Sequence, residues 1–203
     1  MGLFERAIYV ASAHDLDQLP PDDQDIEIAF VGRSNAGKSS VINTLARHRR
    51  LAFVSKTPGR TQLINFFSLG NGLCLVDLPG YGFANVPFAI KTHWEQLLAT
   101  YVGSRRALAG IVLIMDARHP MKDLDRQLLD WFAPTGKPVH ILLTKADKFS
   151  RSQGLNVLKE VKDQLAARHG DVTVQLFSSL KKTGLEEAEA AITRLFASAS
   201  KTE

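Results

Sequence analysis

Short apolar runs alternate with longer amphipathic stretches along this chain, regularly from residue 26 onward. The runs are Ile26–Val31, Leu63–Leu69, Leu73–Asp77, Leu108–Met115, Val139–Leu143 and Val172–Phe177. Four of them are nearly uninterrupted, as expected of parallel strands covered on both faces. Helical spacing fits Lys38–Arg47, Ala89–Gly103, Asp123–Phe132, Arg151–His169 and Leu185–Ser198. In the last two, Leu155, Leu158, Val161 and Leu165, then Leu185, Ala188, Ile192 and Leu195, recur on one face. Asn71-Gly72 between two apolar runs signals a tight antiparallel hairpin. The pattern predicts a three-layer α/β domain whose six-stranded sheet is mostly parallel, with one antiparallel edge strand. Residues 1–25 read as an N-terminal extension, in which Pro20-Pro21 forbids helix and suggests an extended tether. Residues 26–198 form the domain, and 199–203 read as a disordered tail.

Bulk properties narrow the class without choosing a function. The 203 residues suit one domain with a small addition, long enough to bury about 70% of the unfolded surface. A hydrophobic fraction of 45% and a charged fraction of 23% are those of an ordinary soluble protein. No run of 18 apolar residues is present, and Met1-Gly2-Leu3-Phe4-Glu5-Arg6 lacks the apolar segment of a signal peptide, so a cytoplasmic location without membrane insertion is expected. The lone Cys74 sits inside Leu73-Cys74-Leu75-Val76 and reads as a buried core residue. A net charge of +4 is compatible with an RNA partner but does not require one. The clusters Arg47-His48-Arg49-Arg50, Arg105-Arg106 and Lys181-Lys182 are read first as solvated faces or helix ends, and second as RNA contacts.

Residues 32–39, Gly-Arg-Ser-Asn-Ala-Gly-Lys-Ser, match G-x-x-x-x-G-K-[ST] at every fixed position. The match follows an apolar run and opens a helix, the setting in which successive N–H groups and a helix dipole converge on a phosphate chain. Gly32 and Gly37 allow the close approach and the backbone angles that such a turn demands. Lys38 can reach the β- and γ-phosphates, and the Ser39 hydroxyl can ligate Mg²⁺. A P-loop NTPase fold is therefore expected.

Thr144-Lys145-Ala146-Asp147 follows the run Val139–Leu143 and points to guanine. A carboxylate there can accept from the ring N–H and the exocyclic amine together, a donor pair adenine lacks. The Lys145 stem can cover the base while its head returns to the phosphate loop. Asp77-Leu78-Pro79-Gly80 ends another strand with an acid, which can hold Mg²⁺ through water, and places the Gly80 N–H near a γ-phosphate. Ser178-Ser179-Leu180 can offer backbone donors to the base carbonyl. Lys56-Thr57-Pro58-Gly59-Arg60-Thr61-Gln62 lies between the first helix and second strand, where a threonine can complete the metal sphere and release the loop on hydrolysis.

The order of these five elements resembles that of translation-factor-class GTPases. Gly32 to Ser40, Thr57 to Gln62, Asp77-Leu78-Pro79-Gly80-Tyr81-Gly82 and Thr144 to Asp147 resemble the bacterial EngB (YihA/YsxC) family, of the TrmE-Era-EngA-EngB-septin-like class. The likeness covers nearly the whole chain, including Leu19-Pro20 and the threonine that opens the base motif. It implies a small GTPase-like fold, hydrolysis of GTP to GDP and phosphate, assembly of the large ribosomal subunit (a precursor of rRNA and ribosomal proteins as partner), and normal septation in cell division. A monomer is expected. Nucleotide contacts are implied from Gly32, Arg33, Ser34, Asn35, Ala36, Gly37, Lys38, Ser39 and Ser40, and from Gly59, Arg60, Thr61, Gln62 and Leu63. Asp77, Leu78, Pro79 and Gly80, then Thr144, Lys145, Ala146 and Asp147, and finally Phe177, Ser178 and Ser179 complete the set. Lys38, Thr61 and Gly80 are the expected catalytic residues, with Ser39 and Thr61 on the metal. Family alignment favours Thr61 over Thr57, which reads as a turn residue before Pro58.

Tyr81 stands where Ras-type enzymes place a water-orienting glutamine, and a phenol is a poor substitute. Slow intrinsic turnover is expected, on the order of 10⁻⁴ s⁻¹. Asn35 fits two readings: a turn residue, or an aid to K⁺ binding beside the β- and γ-phosphates. Arg60 is equally a switch residue, an RNA contact or a solvated charge. His48, His119 and His140 show no metal-ligand spacing and receive no role. Two other classes compete with a GTP switch: a P-loop ATP-using enzyme, distinguished by nucleotide competition, and a GTP-dependent division module with incidental hydrolysis, distinguished by ribosome sedimentation.

Overall fold

The structure is a computed structural model that describes residues 2–23, 25–52, 63–82, 88–168 and 170–199, giving the backbone alone for 88–95. Among these residues seven strands form one sheet: β1 (Ile8–Ala13), β2 (Ile26–Gly32), β3 (Ile64–Gly70), β4 (Leu73–Asp77), β5 (Leu108–Asp116), β6 (Val139–Thr144) and β7 (Val172–Leu176). Their spatial order is β1-β3-β4-β2-β5-β6-β7. Among the described residues five α-helices accompany them: α1 (Lys38–Leu45), α2 (Phe88–Ser104), α3 (Asp123–Phe132), α4 (Arg151–Ala166) and α5 (Leu185–Ala199).

Period-2 alternation decides which side chains face which layer. On β2, Ile28 and Phe30 join Val112, Ile114 and Leu142 beneath α1 and α5, where Val41, Ile42, Leu45, Ile192 and Phe196 pack. Ala29 and Val31 point the other way, with Leu113, Met115 and Leu143, against Leu97 and Tyr101 of α2, Leu128 and Phe132 of α3, and Val161 of α4. Both faces are closed, so the central strands read as continuous apolar runs.

The sheet carries one strand more than the six expected. Ile8–Ala13, inside the segment read as an extension, pairs antiparallel with β3, Ile8 opposite Ser68 and Ala13 opposite Ile64. The antiparallel strand β3 is therefore interior, and β1 forms the edge. The tether reading of Pro20-Pro21 gives way to an anchored segment. The Arg105 guanidinium donates to the carbonyls of Pro20 (2.7 Å) and Pro21 (3.4 Å), and to the buried Glu27 carboxylate at 2.5 and 3.0 Å. Tyr101 Oη also donates to Glu27, at 2.6 Å, so no charge of this buried cluster is left alone.

Asn71 (φ 55°) and Gly72 (φ 71°) make the two-residue turn between β3 and β4, which are antiparallel. Helix ends differ by a few residues from the spacing. Helix α1 stops at Leu45 because Arg47 turns left-handed at φ 50°. Cys74 is buried, and burial pushes its thiol up to about 12. Strands β4, β2, β5, β6 and β7 are mutually parallel, so Asp77, Gly32, Asp116, Thr144 and Phe177-Ser178 gather at one rim. The chain order reverses at β2, where open α/β sheets leave a crevice for ligands.

Candidate functional site

The phosphate loop begins where β2 meets β5. A Cβ on Gly32 would lie 2.7 Å from the Ile114 carbonyl oxygen, so this position takes glycine for packing. The chain then folds back, with the Ala36 N–H donating to Arg33 O at 3.0 Å. Asn35 (φ 63°) and Gly37 (φ 100°) are left-handed, which aims the turn into α1. Gly37 caps that helix without a side-chain acceptor, leaving its first N–H groups available to an anion. Ser39 and Ser40 are half-buried in the first turn.

Lys38 Nζ donates to Asp77 Oδ1. The two side chains are 12% and 4% exposed, so each neutralises a charge that burial would otherwise penalise. Beyond Asp77, Leu78 N–H donates to Phe30 O at 3.1 Å and Tyr81 N–H to Gly32 O at 3.2 Å, while Ser34 N–H donates to Tyr81 O at 2.9 Å. These bonds carry the β2–β4 pairing past the strand ends and lay Leu78-Pro79-Gly80 across the loop. The Tyr81 hydroxyl donates to Asp125 Oδ1 at 2.7 Å.

The other end of the rim is held by side chains. Thr144 Oγ1 lies 2.5 Å from Ala36 O and 3.0 Å from Met115 O, its one proton shared between the two carbonyls, binding loop, β5 and β6 together. Lys145, left-handed at φ 59°, places Nζ 2.8 Å from both Asn35 O and Asp116 Oδ2. Arg118 Nη2 and Nε occupy Asp116 at 2.6 and 2.9 Å. Desolvation raises the Asp116 carboxyl, but the bonds from Arg118 and Lys145 outweigh it and hold it far below the usual carboxylate range. Asp147 accepts from Ser178 Oγ at 2.6 Å, and that bond lowers its pKa, with Lys148 adding to the effect. Ser178 Oγ in turn accepts from Lys181 N–H at 3.1 Å, and Ala146 N–H reaches Phe177 O at 3.1 Å. Ser179 follows on the same turn.

The structure thus brings Gly32 to Ser40, Asp77 to Gly80, Thr144 to Asp147 and Phe177 to Ser179 to one rim. Thr57, Gly59, Arg60, Thr61 and Gln62 lie outside the described residues, and Leu63 stands just before β3, 37% exposed. His140 is buried between Thr173 Oγ1 (2.8 Å) and Gln175 Oε1 (2.9 Å), while His48 and His119 are exposed. Among the described residues no cluster of three or more His, Cys, Asp or Glu could hold a metal. A cavity of ≈ 160 Å³ borders the outer wall of the loop between Arg33, Asn35, Asp116, Arg118 and Lys145. A hollow of ≈ 250 Å³ at the opposite rim, between the ends of α3 and α4, shares no residue with this one.

Sequence reasoning passed over Asp116, Arg118 and Asp125. Asp116 carried the same signal as Asp77, an acid closing an apolar strand. Asp125 carried none, being one of several acids on an amphipathic helix.

Comparison with known proteins fits this geometry. A family model described as "50S ribosome-binding GTPase" matches residues 27–145. "Probable GTP-binding protein EngB" of Methylobacillus flagellatus is 60% identical over 198 residues, covering 97% of this chain and 95% of that one. Its namesake in Azoarcus sp. is 62% identical over 190 residues, 93% and 90% of the two chains. Among solved structures, a probable GTP-binding protein EngB shares the fold at TM-score 0.68 and 19% identity, over 85% of this chain and 99% of that chain. Era from Aquifex aeolicus, bound to GDP and AlF4⁻, does so at 0.67 and 20%, over 84% and 56%. No helix among the described residues is long and apolar enough to cross a membrane. With a phosphate cradle at one end of the rim and an ionised acid at the other, the chain belongs to the EngB family of GTP-binding proteins and is a GTPase.

Proposed function

We propose that this GTPase works as a slow, Mg²⁺-dependent switch in assembly of the large ribosomal subunit, in the cytoplasm, and that normal septation depends on it. The ribosomal half is supported by the matching family's description. The switch half is carried by one observation: Tyr81, beside the loop that would meet the γ-phosphate, gives its hydroxyl to Asp125 rather than to the reaction centre. No group at that position orients water, so turnover is on the order of 10⁻⁴ s⁻¹ until a partner completes the site. Residues 26–198 act as the G domain, with 1–25 as an anchored extension that adds β1 to its sheet.

Lys38 leaves Asp77 for the β- and γ-phosphates when nucleotide enters, and the N–H groups of Asn35 and of residues 37–39 surround the same phosphates, those of Ser34 and Ala36 being spent on Tyr81 O and Arg33 O. Ser39 and the released Asp77 carboxylate offer hard oxygens, a set that suits Mg²⁺ held by one or two protein groups together with phosphates and water. Bound there, Mg²⁺ neutralises phosphate charge. Thr61, outside the described residues, would be the second protein group to hold that ion. Lys145 covers the base, Asp147 accepts from its N–H groups, and the Ser179 amide meets its carbonyl, the Ser178 N–H being bonded to Thr183 O at 3.0 Å. Asn35 would be the side chain to hold K⁺ here, and in that case hydrolysis is expected to run faster in KCl than in NaCl at equal ionic strength.

Sedimentation with large-subunit particles tests the proposal. Co-sedimentation with a GTP analogue and release with GDP are expected. Equal binding in both states would remove the switch, and no binding would remove the ribosome.

A further inference from the structure

Asp125 lies on α3, outside the sequence of every motif above, yet the residue is 1% exposed. Burying a carboxylate is costly unless it is paired and hydrogen-bonded. Here one oxygen accepts from Tyr81 Oη at 2.7 Å and the other from Lys122 N–H at 3.0 Å. Desolvation raises its pKa despite both bonds. Arg33 brings opposite charge to bear on Asp125, and among the described residues its buried Nε has no hydrogen-bond partner, so it attracts without tying either oxygen down. A Cβ on Gly82 would lie 2.9 Å from Leu124 Cδ1 and 3.7 Å from Arg33 Nε, which measures how tightly α3 and the loop close on this segment.

Capping α3 needs none of this. A solvated acid at the same helical position would satisfy Lys122 N–H without desolvation. What the buried arrangement adds is a second grip on Tyr81, whose backbone already bonds Gly32 and Ser34. Held at both ends, Tyr81 fixes its neighbour Gly80, which packs against Ser34 closely enough that a Cβ would sit 3.4 Å from Ser34 N and Cα. Among the described residues, the Gly80 N–H has no acceptor. We infer that Asp125 is a positioning residue for GTP hydrolysis, acting through the Tyr81 phenol to hold the Gly80 N–H over the phosphate loop. The inference rests on Gly80 as the γ-phosphate contact.

The test compares Tyr81→Phe, Asp125→Asn and their combination in the full chain, using fluorescent GDP, a non-hydrolysable GTP analogue and single-turnover hydrolysis. Each single variant is expected to keep GDP affinity within about twofold while hydrolysis falls about tenfold, the scale of one bond to a charged group. The double variant should lose no more than either single. Unchanged hydrolysis, a parallel loss of GDP and GTP-analogue binding, or losses that multiply would each overturn the assignment. Should Asp125→Asn fail to fold, Tyr81→Phe removes a single oxygen and carries the test alone. Gly80→Ala separates the layers: if it keeps the preference for the GTP analogue, the reading of Gly80 fails. If it loses that preference while Tyr81→Phe and Asp125→Asn behave as wild type, only the role of Asp125 fails.

Discussion

The two ends of the nucleotide rim are built on different principles. At the base end, side chains are already bonded as a ligand would need them: Thr144 to Ala36 and Met115, Lys145 to Asn35 and Asp116, Asp147 to Ser178. At the phosphate end the groups that matter are bonded to each other, Lys38 to Asp77, and must part before either can serve. One end is preorganised and the other is self-neutralised. Preorganised donors and acceptors cost no rearrangement on binding, so under the proposed function the base end would recognise guanine in either state while the phosphate end would respond to the γ-phosphate. A switch needs both properties.

The hardest blow to the preorganised end is Asp147→Ala. Removing the acceptor of two base donors is expected to weaken GDP binding about 10⁴-fold, measured by fluorescence titration. A loss under tenfold would mean that the phosphate end alone sets affinity. At the self-neutralised end the matching experiment is Lys38→Ala, which strands the Asp77 carboxylate, 4% exposed. Unfolding in urea should show destabilisation of about 3 kcal/mol, largely restored by adding Asp77→Ala. If the double variant stays as unstable as the single, the pair is not a stand-in for ligand.

The contrast between the ends also governs what could be read from sequence. The phosphate loop is contiguous and fixed by backbone geometry, so spacing alone exposed Gly32, Gly37, Lys38 and Ser39. The layers were legible because both sheet faces are covered, and the positions bearing on them are uniformly apolar. Strand β1 was hidden for the opposite reason: on an edge, Ile8, Tyr9 and Val10 are 63%, 56% and 55% exposed, and Pro20-Pro21 drew the whole segment toward a tether. The base end joins residues from four strand ends. Asp116 and Lys145 meet only after folding, as do Thr144 and Ala36, 108 positions apart. Long-range pairs of this kind leave no local period to detect.

Thr144→Val sharpens the comparison at smaller scale. Valine keeps the shape and removes one hydroxyl that serves two carbonyls, a change of roughly 1–2 kcal/mol. GDP affinity should fall about tenfold by calorimetry, through faster release, because the phosphate loop loses its tie to β6. An unchanged release rate would show that Lys145 holds the loop unaided.

The smallest expected effect is one of pH, and its sign follows from Ser178. The Ser178 hydroxyl favours the ionised form of Asp147 and sets that acid below its ordinary value. A depressed carboxylate contributes fully above its unfolded pKa, and its contribution disappears as pH falls through the lower, folded value. Guanine recognition needs the same ionised form, so wild-type GDP binding should persist into acid below the usual carboxylate range. Ser178→Ala removes the largest cause of the depression, and the acid limb of GDP binding should move to higher pH with little change at neutrality. Lys148 still lowers the acid in that variant, so the displacement is partial. An acid limb that does not move would show that the carboxylate is held by the base itself, and the preorganisation assigned to this end would then belong to the complex rather than to the free protein.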